Sequence, residues 1–220
     1  LTAPIFVAAD TLKAYQDLAR FHRRRFAIPV VAVTGSVGKT STRNMIATVL
    51  SEKYRVLQTE KNFNNEIGLP KTLLQLTPDH EACVVEMGMR GLGQIAELAA
   101  IGEPTIGVVT NVGKSHIELL GSQENIAKAK AELVQALDEK GTAVLNGDDP
   151  FVRPMTALCK GRLSSMGPRT RRLYGQTISS ATSRASASIA AAPASLSTFP
   201  CRSSAATTST MPWQPLPSAS

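Results

Sequence analysis

Apolar, largely β-branched runs recur along the chain, and each ends on polar or glycine residues. The first starts at Val30 (VVAVT) and turns at Gly35, and a short one covers 55–58. The others cover 82–85 before Glu86, 105–110 before Asn111, and 142–145 before Asn146-Gly147-Asp148-Asp149. Continuous apolar runs of this length, unlike alternating ones, predict strands buried on both faces. Helical spacing fills the gaps. Asp10 can cap a helix with Leu12, Tyr15 and Leu18 in phase, which ends in the basic run His22-Arg23-Arg24-Arg25 before Pro29. A second helix is expected over 41–54, with Met45, Ile46, Val49 and Leu50 on one face. A third enters at Gly68 and Pro70 and carries Leu73, Leu74 and Leu76; a fourth covers about 95–100. A fifth is capped by Ser122 and runs to Leu137. Strands alternating with helices, with polar residues just past the strand ends, predict an α/β fold. Its core is a mostly parallel, doubly wound sheet with the site at the carboxyl edge.

Composition adds limits. No run of about eighteen apolar residues occurs, so no membrane insertion is expected. The chain begins at Leu1 without a charged-then-apolar leader pattern, and we read it as a fragment of a longer cytoplasmic product. Cys83, Cys159 and Cys201 have no metal spacing and read as buried or free thiols. The net charge of +7 loses its interest once located. All 17 acids lie at or before Asp149, and five of the 24 basic residues lie from 163 onward, so residues 1–162 carry only +2. A nucleic-acid footprint would cluster on a folded face, so no nucleic-acid partner is expected. The arginines at 23–25 need no more than a solvated helix end.

The chemistry concentrates at TGSVGKTST, Thr34 to Thr42. Strand, glycine turn and helix start in that order make a phosphate cradle. Gly35 and Gly38 let backbone N–H groups approach phosphate oxygens, Lys39 can reach the β/γ-phosphates, and Thr40 can ligate Mg²⁺. Val33 stands where the commoner G-x-x-x-x-G-K-[ST] pattern has glycine, so the motif is a shortened variant. Glu86, at a strand end, is a hard oxygen ligand suited to Mg²⁺, though a solvated carboxylate fits that position equally. By themselves His116 reads as an ordinary loop histidine and Lys130 as a helix-surface lysine.

The motifs TGSVGKTST, NNEIGLP, VVEMGMRGLGQI, TNVGKSHIELLGS, AKAEL and LNGDDP, spread in that order over most of residues 5–162, resemble the Mur ligase family. EMGMRG with NNEIGLP is similar to the branch that joins D-alanyl-D-alanine to UDP-N-acetylmuramoyl-tripeptide. The resemblance implies the P-loop ATPase central domain of that family, with ATP in contact with Thr34, Gly35, Ser36, Val37, Gly38, Lys39, Thr40, Ser41 and Asn111. It implies two Mg²⁺ sites, held by Thr40, Glu86, His116 and a carbamylated Lys130, and catalytic roles for Lys39, His116 and Lys130. It also implies a cytoplasmic monomer that makes peptidoglycan precursor through an acyl phosphate. Asn64, Asn65 and Asn146 are expected to shape the site. Another stem-peptide ligase or a folylpolyglutamate-type synthase shares this core. A non-catalytic nucleotide-binding module is the remaining alternative.

Three segments are expected: residues 1–28 as the end of a preceding domain and its linker helix, 29–162 as a partial ATP-binding domain, and 163–220 as a disordered tail. The tail turns to Ser, Ala, Thr, Pro and Arg without periodicity. A one-nucleotide shift of reading frame near Gly161 to Ser164 accounts for it. Regrouping the codons of Ala206 to Gln214 permits HNVYNALA, and those from Ser165 to Ile178 permit YGTED followed by VRADNI, all family-like. On that reading 163–220 has no packed core and the polypeptide has no ligase activity of its own.

Overall fold

A computed structural model describes residues 7–115 and 117–167. Strands β1 (Val30–Thr34), β2 (Val56–Gln58), β3 (Ala82–Glu86), β4 (Ile106–Val109), β5 (Thr142–Asn146) and β6 (Arg162–Met166) form one sheet in the order β2-β3-β1-β4-β5-β6. Every pairing is parallel. The doubly wound reading holds, and β1 lies in the middle, fully buried along its length. After β1 the chain goes outward to β2, returns to β3, then crosses to β4 on the other side of β1. This reversal opens a crevice at the carboxyl ends of β1, β3 and β4.

Both faces of the sheet are covered. Val30, Ala32, Cys83, Val85, Val109, Ala143 and Leu145 share one core with Leu69 and Leu73 of α3 (Gly68–Leu73). Ile95 and Leu98 of α4 (Gln94–Gly102) and Ile126 and Leu133 of α6 (Gln123–Gln135) complete it. Val31, Val33, Val84 and Val108 face the other way, onto Ala47, Ile46 and Leu50 of α2 (Lys39–Ser51). Adjacent β1 residues thus serve opposite layers, as the two-residue period of a strand requires. The short α5 (Ile117–Leu120) precedes α6, and Ser122 caps α6 by accepting from the Asn125 N–H at 3.2 Å. Burial pushes the Cys83 thiol up to about 12, so it packs as an inert apolar group.

Helix α1 (Thr11–Arg23) is capped as expected, with Asp10 accepting from the Lys13 N–H at 2.9 Å. Its docking differs from expectation. Leu12 and Leu18 are exposed, and α1 packs on α3 and α4 through Ala19 and Arg23. Arg23 is not a solvated helix end. It is buried, and its guanidinium donates to the carbonyls of Gly102, Phe26, Ile28 and Glu103 at 2.6 to 3.4 Å. Five fixed donors let it satisfy several carbonyls that would otherwise be buried unpaired. Arg20 and Arg24 pair with the Glu103 carboxylate beside it, and His22 donates to the Leu76 carbonyl at 2.9 Å. The segment expected to be a linker is therefore bolted to this domain.

Two boundaries differ as well. Helix α2 starts two residues before the expected Ser41, and its buried side is Arg43 and Ala47 with Ile46 and Leu50, while Met45 and Val49 are exposed. Strand β6 straddles the composition break at 163 and extends the sheet to Met166, although Leu163 and the two serines after it are exposed. The expected tail from residue 168 onward lies outside the described residues, as does Cys201.

Candidate functional site

The turn after β1 is built for close approach. Gly38, with φ of 82°, occupies the left-handed region at the N-cap of α2, where a Cβ would be strained. Gly35 packs directly on Thr110, and a Cβ there would collide with its hydroxyl. The neighbouring strand end clamps the loop. Asn111 accepts from the Val37 N–H at 3.0 Å and donates to the Val37 carbonyl at 2.8 Å, and Thr110 Oγ1 donates to that same carbonyl at 2.8 Å. Asn146 at the end of β5 donates to the Thr110 carbonyl at 2.8 Å and so braces β4. No side chain caps α2, so its first-turn N–H groups face the crevice with the positive end of the helix dipole. The buried hydroxyls of Thr34 and Ser36 have no hydrogen-bond partner among the described residues. In the loop, Ser36 is thus a donor poised for a ligand. Lys39 folds its ammonium onto the Gly35 carbonyl at 3.0 Å.

Glu86 lies on the same side of the sheet, at the tip of β3 and beside the start of α2. Its Oε2 accepts from the Thr40 hydroxyl at 2.8 Å and its Oε1 from the Asn64 amide at 2.8 Å. Buried Arg43 places Nη1 3.5 Å from Oε2. Thr59 donates no part of that shell but accepts the Glu86 N–H at 3.1 Å, which fixes the strand tip. Glu86 is only 2% exposed, so it is not the solvated carboxylate its position alone allows. Thr40 and Glu86, each named as a metal ligand by the resemblance, touch one another, and their donors are hard oxygens beside a phosphate loop. That donor set fits a small divalent cation such as Mg²⁺. Among the described residues no group of three His, Cys, Asp or Glu forms a metal cluster. His116 lies outside the described residues.

A cavity of about 550 Å³ opens beside this loop, with Ser36, Lys39, Asn64, Asn65, Ser115 and Lys130 in its wall. Lys130, on α6, is buried to 2% exposure and is not a surface lysine. Burial, with Lys39 as a nearby like charge, lowers its pKa to about 8. A large neutral fraction near that pH is what an amine needs to react with CO₂, so the position fits the carbamylation implied for it.

Several residues of the site escaped sequence reasoning. Gln16 of α1 reaches across to the Glu66 carbonyl at 3.2 Å and lines the cavity. Arg43 holds Glu86, and its signal was present: an arginine in helical phase with Ile46, Ala47 and Leu50 demands a buried acidic partner. Arg90 and Gln94 line the same cavity, and Glu132 of α6 accepts from N–H groups at the head of α4.

A phosphate loop at the switch point of a parallel sheet, with an oxygen-ligand pair at its mouth, defines the P-loop nucleotide-binding class of α/β proteins. The model of the Mur ligase middle domain matches residues 33–200, and the chain belongs to the Mur ligase family. Its curated relatives include the UDP-N-acetylmuramoyl-tripeptide–D-alanyl-D-alanine ligase of Synechocystis sp. The two are 56% identical over 151 residues, 69% of this chain and 33% of that protein. The chain spans about a third of the length of the curated relatives it matches. Among solved structures, MurF from Acinetobacter baumannii superposes with a TM-score of 0.72 at 32% identity, covering 76% of this chain and 38% of that one. MurF from Thermotoga maritima in complex with ADP gives 0.68 at 33% identity, with the same coverage. No helix among the described residues is long and apolar enough to cross a membrane.

Proposed function

We propose that the chain is the ATP-binding part of an ATP-dependent carboxylate–amine ligase that joins D-alanyl-D-alanine to UDP-N-acetylmuramoyl-tripeptide in the cytoplasm, acting as a monomer. The observation that carries this reading is the contact between the Thr40 hydroxyl and the Glu86 carboxylate at the head of α2, one residue from Lys39. A substrate carboxylate attacks the γ-phosphorus of ATP and ADP leaves; the resulting acyl phosphate is attacked by the amine of the dipeptide, and phosphate leaves. The chain's share is positioning and charge neutralisation. The N–H groups from Gly38 to Ser41 at the head of α2 cradle phosphate oxygens, those of Ser36 and Val37 being taken by Asn111, and Lys39 turns its ammonium from the Gly35 carbonyl to the β/γ-phosphates. Asn111 fixes the Val37 peptide and with it the shape of the loop.

Thr40 and Glu86 would hold one Mg²⁺, with Asn64 and Arg43 orienting the carboxylate. Lys130, once carbamylated, and His116 would hold a second. Bound there, the ions offset the charge that develops on the transferred phosphoryl group. Lys130 is catalytic in this sense only after modification turns its amine into an oxygen anion.

Calorimetric titration with UDP-N-acetylmuramoyl-tripeptide and, separately, with a folate acceptor tests the substrate class. Saturable heat with the muramoyl precursor alone is expected. Binding of the folate alone would assign the site to a folylpolyglutamate-type ligase.

A further inference from the structure

The cavity beside the phosphate loop also carries a cation that the proposed chemistry does not use. Three cationic side chains line the cavity: Lys39, Lys130 and Arg90. The first rests on the Gly35 carbonyl of the phosphate loop and the second is buried. Arg90 is exposed, sits in the loop between β3 and α4, and its guanidinium has no ion-pair or hydrogen-bond partner among the described residues. Neither cavity-lining carboxylate, Glu66 or Glu97, pairs with it. The loop that presents it is nonetheless held firmly. Gln94 accepts from the Arg90 N–H at 2.6 Å and from the Gly91 N–H at 3.1 Å. Glu132, on α6 two residues after Lys130, accepts from the Gly93 N–H at 2.7 Å and the Ala96 N–H at 3.0 Å. One carboxylate thus ties the head of α4 to the helix carrying Lys130. The remaining wall between the two loops is rich in side-chain amides, Asn62, Asn64 and Asn65 among them.

We propose that Arg90 anchors an oxyanion of the second substrate, the muramoyl precursor, at a subsite separate from the nucleotide phosphates, and that Glu132 is the positioning residue that sets its loop. This rests on the ligase reading and deepens it. An unpaired guanidinium offers a planar fork that matches the two oxygens of a carboxylate or a phosphate, and on a fixed backbone it loses little freedom on pairing. The precursor supplies both chemistries, a stem-peptide carboxylate and the diphosphate of its nucleotide.

The test is equilibrium binding to the 220-residue chain of Mg·ADP, UDP-N-acetylmuramoyl-tripeptide and UDP, for the parent and for Arg90→Gln, Arg90→Lys and Glu132→Gln. Arg90→Gln is expected to weaken the precursor at least about tenfold, the order of a lost charge-assisted pair, and to leave Mg·ADP within twofold. Arg90→Lys, which keeps the charge and loses the fork, is expected to recover part of the loss. Glu132→Gln is expected to weaken the precursor and spare Mg·ADP. A parallel loss for UDP identifies the diphosphate as the anchored group; no loss for UDP identifies the carboxylate. An unchanged precursor affinity in Arg90→Gln, or an equal loss for Mg·ADP, overturns the proposal. If the parent binds Mg·ADP and not the precursor, the subsite falls while the nucleotide site stands; if it binds neither, both fall. Because Arg90 is exposed, an unchanged melting temperature accompanies its variants.

Discussion

Replacing Glu86 with alanine is expected to destabilise the domain by about 3 to 5 kcal/mol, which for a chain of this size is a fall in Tm of roughly 10 °C. The cost comes less from the lost carboxylate than from what it leaves behind. Arg43 is only 5% exposed, and Glu86 is the acid it faces. Without that acid the guanidinium keeps its bonds to Asn44 and to the Lys61 carbonyl, yet its charge stays buried uncompensated. Thr40 and Asn64 lose their acceptor at the same time. Replacing both members, with Glu86→Leu and Arg43→Met together, is expected to recover most of the loss, because an apolar pair of similar volume removes the stranded charge. Chemical denaturation of the two single variants and the double variant measures this. A double variant as unstable as the sum of the singles would show that the ion pair is not the source.

Lys130→Met is expected to make the domain more stable at neutral pH and to flatten its stability profile between about pH 8 and pH 10.5. The sign follows from the lowered pKa. In the unfolded chain the amine has its ordinary value of 10.5, and in the fold about 8, because burial and the Lys39 charge disfavour the ammonium. Below pH 8 both states are protonated and the fold carries the full penalty. As pH rises toward 10.5 the folded state has lost its proton while the unfolded state still holds one, so unfolding becomes harder. The gain across that window is about 3 kcal/mol. Urea unfolding of the parent and of Lys130→Met at several pH values isolates the contribution of Lys130, since every other titrating group is common to both. A parent profile parallel to that of the variant would mean that the ammonium is not disfavoured in the fold. The same penalty explains why a modification that removes the cation suits this position.

Much of the architecture could be read from the chain because a parallel strand covered on both faces has a simple signature. Val30–Thr34 and Ala82–Glu86 are apolar throughout until their last residue, a buried polar one at the carboxyl tip of the strand. The phosphate loop was equally legible, since glycine spacing and a Gly-Lys-Thr triplet translate directly into backbone geometry. Helix faces were less legible. In α1 the apolar stripe of Leu12, Tyr15 and Leu18 looks like a core face, while the buried contact is made by an alanine and an arginine whose guanidinium serves four carbonyls. In α2 Met45 and Val49 lie in solvent because the buried arc is shifted toward Arg43 and Ala47. Hydrophobic periodicity does not register a charged residue that is buried with its partner. Strand β6 was missed for a related reason: Arg162, Leu163 and two serines carry little strand signal, and their place comes mainly from the backbone ladder with β5. Gln94 meets Arg90 locally, four residues on, whereas Glu132 joins them only through tertiary packing of α4 on α6, a relation no local motif encodes.

The central claim is that the terminal phosphates of ATP dock at the head of α2, against Lys39 and next to Thr40 and Glu86. Calorimetric titration with a non-hydrolysable Mg·ATP analogue, comparing the parent chain with Lys39→Ala, tests it most directly. Lys39 donates only to the Gly35 carbonyl among the described residues, so its loss leaves the fold intact and the melting temperature nearly unchanged. The account predicts saturable binding by the parent and a loss of about 10- to 100-fold in the variant, the range for removing a charge-assisted phosphate contact. Equal affinities in the two proteins would place the phosphates elsewhere and contradict it.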